Sequence, residues 1–403
     1  MTRKTPIRPS DLRGASRLAV DAVTAATHLV EAMHYTIARR AAPDGLVGWT
    51  ATRGIPGLVY RSVRGITRLV GGGIDAVLAP LVPPLDHGQS SPRREALLAA
   101  ANGVLGDYLE ASGNPLAISM RFRRDGMPLA IERAALAAAM PQATGKLLVL
   151  VHGICMSDLQ WNRGGHDHGA ALARDLGYTT VYLHYNSGLH VSVNGRRLDA
   201  LLEDLVREWP VPLEELAIVG HSMGGLVARS ACHYGREAGH GWLRHLRKLV
   251  CLGTPHHGSP LERAGNWVDA ALGASRYSAP LARLGMIRSA GVTDLRYGNL
   301  LDEDWHGRDR FARDGDRRRP VPLPQGVACY AVAATSAGGR SRVAAMLPSD
   351  GLVTLDSALG RHPRRDLALD FPADHCWIAS GMGHFDLLSR PEVYARLRDW
   401  LAR

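Results

Sequence analysis

The chain has little cysteine, no long uninterrupted apolar run and no nucleic-acid-binding signature. Its five cysteines, Cys155, Cys232, Cys251, Cys329 and Cys376, are scattered, odd in number and without metal-ligand spacing. A disulfide framework is therefore not expected. The opening stretch, MTRKTPIRPSDLRGASRLAV, is basic, but Asp21, Thr24 and His28 interrupt the helical pattern that follows before any apolar segment builds up. No standard secretory signal and no transmembrane helix are expected, and cytoplasmic placement, free or peripheral to a membrane or lipid-like surface, is the simplest assignment. The net charge of +10 favours anionic surfaces. Zinc-finger, RNA-motif and recognition-helix patterns are missing, so no nucleic-acid partner is expected.

What the chain does have is 403 residues, 46% of them hydrophobic, enough for a large core in one main domain with extensions. Residues 1–140 are rich in Ala, Gly and Arg and read as a mainly helical N-terminal extension, with amphipathic segments in DLRGASRLAVDAVTAATHLVEAMHYTIARR and LVYRSVRGITRLVGGGIDAVLAPLV. The first hundred residues carry an excess of six positive charges. Two readings stay open for them: helices packed on the catalytic domain with their arginines in water, or helices resting on an anionic lipid surface or lipid-like granule. PLVPPLDHGQSSP has the chemistry of a linker.

From Lys146 the pattern changes. KLLVLVHG, TTVYLHYNSG, LAIVGHSMGG and KLVCLGTPHHG are apolar runs of strand length, separated by segments able to form helices. VACYAVAA and CWIAS follow as later strands, and PEVYARLRDWLAR as a closing helix. Such alternation predicts a mostly parallel α/β sheet with helices on both faces over residues 141–403. The rhythm stops between about 258 and 325, which reads as a cap-like insertion over the carboxyl ends of the strands.

LAIVG runs directly into a glycine-bearing helical segment, which puts Ser222 of GHSMG on a strand-to-helix elbow. A helix-capping serine would not require both Gly220 and Gly224. A serine nucleophile needs a base, and His384 in SGMGHFDLL follows the last strand on a glycine loop; His362 and His375 are the competitors. The base needs an acid. Asp350 in the SDG turn comes after VACYAVAA and before His384, with Asp356, Asp366 and Asp370 as alternatives. Two amide donors for an oxyanion are expected at Met223, just after the serine, and at Ile154 in VHGIC. Cys155 reads as a small apolar filler, His256 and His257 as part of a turn rather than a metal site, and YNSGLHVSVNGRRLDALLEDLV as a packed helix, because it lacks the GKS/T ending of a phosphate loop. No metal and no organic cofactor are expected.

On VHGI, GHSMGG, GTPHHGSP, SDGLV and GMGHFDLL, the chain resembles the α/β-hydrolase superfamily, and within it bacterial lipase- and esterase-like proteins, over roughly residues 145–403. The resemblance implies a serine carboxylic-ester hydrolase working through an acyl-enzyme, with Ser222, Asp350 and His384 as the triad and Met223 and Ile154 at the oxyanion site. The apolar insertion favours a hydrophobic acyl ester, a lipid or an aliphatic polyester as substrate. An acyltransferase using the same triad and a non-catalytic binding protein of the same fold are the alternatives.

Overall fold

The computed structural model describes residues 7–41, 54–81, 90–260, 262, 288–310, 315–336 and 349–403. The chain divides into two compact units, one of residues 1–91 with 111–116, the other of residues 92–110 with 117–403.

Among the described residues of the first unit are the helices α1 (Pro9–Ala41) and α2 (Gly54–Leu78), which pack on one another. Asp75 of α2 ties them together, accepting from Arg13 Nε at 2.7 Å and Arg17 Nε at 2.6 Å. No helix among the described residues is long and apolar enough to cross a membrane.

The second unit is built on an eight-stranded sheet in the order β2-β1-β4-β3-β5-β6-β7-β8. Its helix α3 (Pro92–Ala111) leads into the hairpin β1 (Arg121–Arg124) and β2 (Met127–Pro128). Asp125 and Gly126 form the turn, both with positive φ (52° and 74°), as a two-residue hairpin twisting with its strands requires. Helix α4 (Arg133–Ala139) precedes β3 (Lys146–Val151), and α5 (His168–Leu176) links β3 to β4 (Thr179–His184). Then α6 (Val191–Arg207), β5 (Glu215–His221), α7 (Met223–Ala238) and β6 (Leu246–Leu252) alternate. After a short helix α8 (Ala290–Asp294) come β7 (Ala328–Thr335), α9 (Leu355–Ala358), β8 (Cys376–Ser380) and α10 (Pro391–Leu401). Strands β3 to β8 are parallel, while β1 runs antiparallel to β4. The α/β class, the mostly parallel sheet with helices on both faces and the N-terminal helices are as the sequence predicts.

The pleat explains why the strands are apolar throughout rather than alternating. Leu147, Val149 and Val151 of β3 point to one face, where Leu198, Leu202 and Leu205 of α6 and Leu226 and Val227 of α7 cover them. Leu148 and Leu150 point to the other, under Leu172 of α5 and Val393, Leu397 and Trp400 of α10. Each such side chain, fully buried, contributes about 1.5–3 kcal/mol. A strand with two dry faces has no position left for a polar side chain.

Residues 92–128, read from the sequence as part of the helical extension, supply a helix and two strands to this unit. Ala100 and Val104 of α3 and Phe122 of β1 sit in the same core as α6 and α7. Helix α3 also meets the loops closely: a methyl group on Gly103 would lie 2.9 Å from the Cys155 backbone, and one on Gly106 2.8 Å from Asn186 Cγ. Of the insertion expected at 258–325, residues 261, 263–287 and 311–314 lie outside the described residues. Its described part rests on the loops after β4 and β6, through Gly291 N to Gly188 O (3.0 Å) and Arg318 Nη1 to His256 O (2.6 Å).

Candidate active site

Strand β5 ends at His221 and α7 begins at Met223, which leaves Ser222 alone to turn the chain. It does so at φ 54°, ψ −125°, a conformation non-glycine residues avoid at a cost of about 1–3 kcal/mol. The flanking glycines make the turn sterically feasible. A Cβ at Gly220 would lie 2.6 Å from Gly225 N, and one at Gly224 2.7 Å from His152 O. Ser222 is the residue before the helix, yet its side chain makes no capping hydrogen bond. Its Oγ is buried and has no hydrogen-bond partner. A strained, buried, unpaired hydroxyl costs stability at every turn of the accounting, so a stabilising role does not explain it.

The loop after β8 brings His384 to the same end of the sheet. Ser222 N donates to Leu252 O at 2.8 Å, and a Cβ on the next residue, Gly253, would lie 3.1 Å from His384 Nδ1 and Cε1. The imidazole thus abuts the backbone that also holds Ser222. His384 Nδ1 meets Asp350 Oδ2 at 2.6 Å, both side chains being buried. Its Nε2 has no partner, so the edge turned away from the acid is free to accept a proton.

Asp350 is held as tightly as the imidazole. Its Oδ1 accepts from Leu352 N (2.9 Å) and Val353 N (2.7 Å), which leaves Oδ2 for the histidine. The His384 backbone is fixed from two sides, its N–H donating to Asp350 O at 3.1 Å and its carbonyl lying 3.2 Å from His221 Nε2. His168 Nε2 lies 3.0 Å from Leu387 O and anchors the far end of the same loop. The other acids and bases considered from the sequence lie elsewhere. Asp356 is exposed beside Arg361, and Asp366 pairs with Arg364. His375 meets Cys329 O at the beginning of β8, and the His362 ring lies tilted against that of His257, centroids 4.8 Å apart.

The loop after β3 lies against the elbow, since a Cβ on Gly153 would come within 3.0 Å of Ser222 Cβ. Met223 N–H is at the first position of α7, where no acceptor exists within the helix. Across from it, Cys155 adopts a positive φ of 58° and its N–H donates to Ser187 Oγ at 3.1 Å. The Ile154 amide precedes it in the same loop. Burial pushes the Cys155 thiol up to about 12, which excludes it as a thiolate nucleophile at neutral pH. Sequence reasoning missed Ser187, His168 and His221, whose roles come from contacts distant in the chain.

Two histidine groups fit no metal. His256 Nδ1 faces Arg229 Nη1 at 3.1 Å and His257 Nδ1 faces Arg318 Nη2 at 2.7 Å, so buried guanidinium groups stand where a cation would have to sit. Glu95, Asp158 and His184 are buried together, with one ligand atom from each within 4.8 Å of the others. Arg123 Nη1 already fills that space, 2.8 Å from Glu95 and 3.1 Å from Asp158. This cluster is a buried ion-pair network behind the loop of His152, whose ring centroid lies 6.5 Å from that of His184.

Burial pushes several imidazoles below their usual range: His152 to about 3, His168 to about 4 and His257 to about 3, with His221 and His256 also well below. Each folded-state value lies under the unfolded one, so the stabilisation is complete above about pH 6.5 and is lost as pH falls toward 4. The urea midpoint is expected to drop steadily over that window, with His168 alone accounting for about 3 kcal/mol by pH 4. Urea titrations at pH 7.5, 5.5 and 4.5 check this; a flat midpoint would contradict it.

A family model described as a PGAP1-like alpha/beta domain matches residues 142–314, less than half of the chain. No curated protein matches in sequence. Among solved structures, the mature lipase BlEst2 of Bacillus licheniformis is similar with a TM-score of 0.43 and 19% identity, covering 64% of this chain and 91% of its own. The Pyrococcus furiosus esterase Pf2001 has a TM-score of 0.38 at 13% identity, over 64% of this chain and 82% of its own. The Legionella pneumophila phospholipase PlaB has 0.36 at 16%, over 53% and 46%. All three stay below a TM-score of 0.5. The sheet itself is the stronger criterion: an antiparallel hairpin, six parallel strands crossing in the order β4-β3-β5, and a strained elbow between β5 and α7. By that topology this chain has an α/β-hydrolase superfamily fold.

Proposed function

We propose that the protein is a serine carboxylic-ester hydrolase acting on a hydrophobic acyl ester. The observation that carries this reading is Ser222: a buried, unpaired hydroxyl on a positive-φ elbow, at the end of the sheet that also carries an imidazole whose Nδ1 meets a buried carboxylate. In this mechanism Ser222 Oγ attacks the ester carbonyl carbon while His384 Nε2 takes the hydroxyl proton. The carbonyl π electrons move to oxygen, where the Met223 and Ile154 amides stabilise the developing charge. Asp350 stabilises the imidazolium through Nδ1–H and fixes its tautomer. Collapse expels the alkoxide, which takes the proton from Nε2 and leaves as alcohol. Water, deprotonated by the same nitrogen, then attacks the acyl-enzyme and releases the acid. The catalytic domain of residues 141–403 works together with the helix and hairpin of residues 92–128, which complete its sheet.

Two measurements test this reading. A phosphonofluoridate probe is expected to lose fluoride and add its phosphonyl group to Ser222 Oγ, as tryptic mass mapping would reveal. A panel of p-nitrophenyl esters from two to sixteen carbons is expected to give turnover that depends on acyl length. Labelling elsewhere, or no turnover across the panel, would sink it. Faster release of p-nitrophenol with an added alcohol, accompanied by a new ester, would instead favour acyl transfer.

A further inference from the structure

Helix α2 is turned the wrong way round for a helix that packs on its neighbour through apolar side chains. The residues it turns toward α1 are small or polar: Tyr60, Arg64, Thr67, Gly71 and Asp75 are the ones shielded from solvent. Asp75 binds Arg13 and Arg17, Arg64 pairs with Glu31, and a Cβ on Gly71 would run into the side chain of Val20. The aliphatic side chains face out. Val59, Val63, Ile66, Val70, Ile74 and Val77 are all exposed, Ile66 at 65% and Val77 at 67%, and Leu69 at their margin is 78% exposed. At 100° per residue these six fall within a sector of about 80°, one continuous stripe along five turns.

Such a stripe is too long and too regular to be scattered surface apolarity. Charge says what covers it. The two helices carry an excess of Arg over Asp and Glu, and α2 has three arginines against one acid. That acid is already neutralised by two arginines of α1, whereas Arg61 and Arg68 lie exposed on the polar side of α2. Two copies meeting along this stripe would bury the apolar sector but leave the excess positive charge uncompensated. An anionic surface meets both the apolar sector and the positive field.

We propose that the exposed aliphatic stripe of α2, Val59 to Val77, is a docking surface for anionic lipid, in which the helix lies in the plane of the interface with the stripe buried. This surface does not depend on the chemistry assigned to Ser222.

The test is co-sedimentation of the full chain with vesicles of phosphatidylcholine alone or with 30% phosphatidylglycerol. The chain is expected to pellet with the anionic vesicles and about tenfold less well with the neutral ones. The triple variant Ile66→Ser/Leu69→Ser/Val70→Ser should lose at least about tenfold in partitioning, since each removes buried aliphatic surface. Arg61→Gln/Arg68→Gln should weaken binding to anionic vesicles about fivefold or more and leave neutral vesicles unaffected. Circular dichroism and turnover of a soluble short-chain ester control for folding. Ser222→Ala should bind as the parent does, so failure of the hydrolase reading leaves this result standing. Equal binding of parent and triple variant, or no binding at 30% phosphatidylglycerol, would overturn the proposal. So would a parent that is dimeric by light scattering and a triple variant that is monomeric, with vesicle binding unchanged.

Discussion

Ser222→Ala is expected to lower kcat on a p-nitrophenyl ester by about 10⁵-fold while leaving the fold intact. The size follows from what alanine removes. The Met223 and Ile154 amides proposed to hold the oxyanion remain, so charge stabilisation would persist, but no oxygen is left to form the acyl-enzyme. Stability should move the other way. The Ser222 hydroxyl is buried without a partner, and deleting such a group is neutral or stabilising by about 1 kcal/mol. Thermal unfolding at pH 7.5 should therefore show a melting temperature equal to or above that of the parent. Ser222→Gly sharpens the test: it is expected to be equally inactive and more stable still, because glycine adopts φ 54° without the strain a side chain brings. A variant that retained a tenth of the parent's kcat would end the case for this nucleophile.

Asp350→Asn should lower kcat by about 10⁴-fold, with KM little changed. Here the surrounding hydrogen bonds decide the outcome. Oδ1 accepts from Leu352 N and Val353 N, and an asparagine keeps those two bonds only by placing its carbonyl there. Its NH2 must then face His384 Nδ1, 2.6 Å from the present carboxylate oxygen. A donor at that place forces Nδ1 to accept, so the ring proton moves to Nε2. The nitrogen that should take the serine proton is then already protonated. Asp350→Ala would lose the turn as well, leaving two buried amides without an acceptor at about 1–3 kcal/mol each. Loss of activity at unchanged stability for the asparagine variant, against loss of both for the alanine one, separates the chemical role from the scaffolding one. Proton NMR of the ring, read at pH 7, would report the tautomer directly.

The parts of this molecule that were legible in the sequence share one property: their cause is local. The inner parallel strands announce themselves because a strand covered on both faces is apolar along its buried length, as in the LLVLV of β3. The elbow is legible because its two glycines answer to backbone atoms within a few residues and to the neighbouring strand. The hairpin of β1 and β2 escaped notice for the opposite reason. RFRR looks like a charged surface run, and Arg123 is buried only because Glu95 and Asp158, 28 and 35 residues away, neutralise it. Helix α3 falls within the Ala-, Gly- and Arg-rich stretch that reads as the extension. Those small side chains are what allow its close approach to Cys155 and Asn186, a fact visible only once the partners are in place. His168, His221 and Ser187 belong to the same class. Each is one polar residue among many until folding sets it against an atom far along the chain.

The pairing of β1 with β4 bears on how far the molecule can be trimmed. Deleting the first 140 residues would strip β4 of its outer neighbour and open the row of amides and carbonyls that now bond to residues 121–123. A bare, hydrophobic border of that kind recruits strands from other molecules. A shortened protein beginning near residue 92 would keep its own border strand, and solubility, before any loss of catalysis, is where the difference between the two truncations would first be felt.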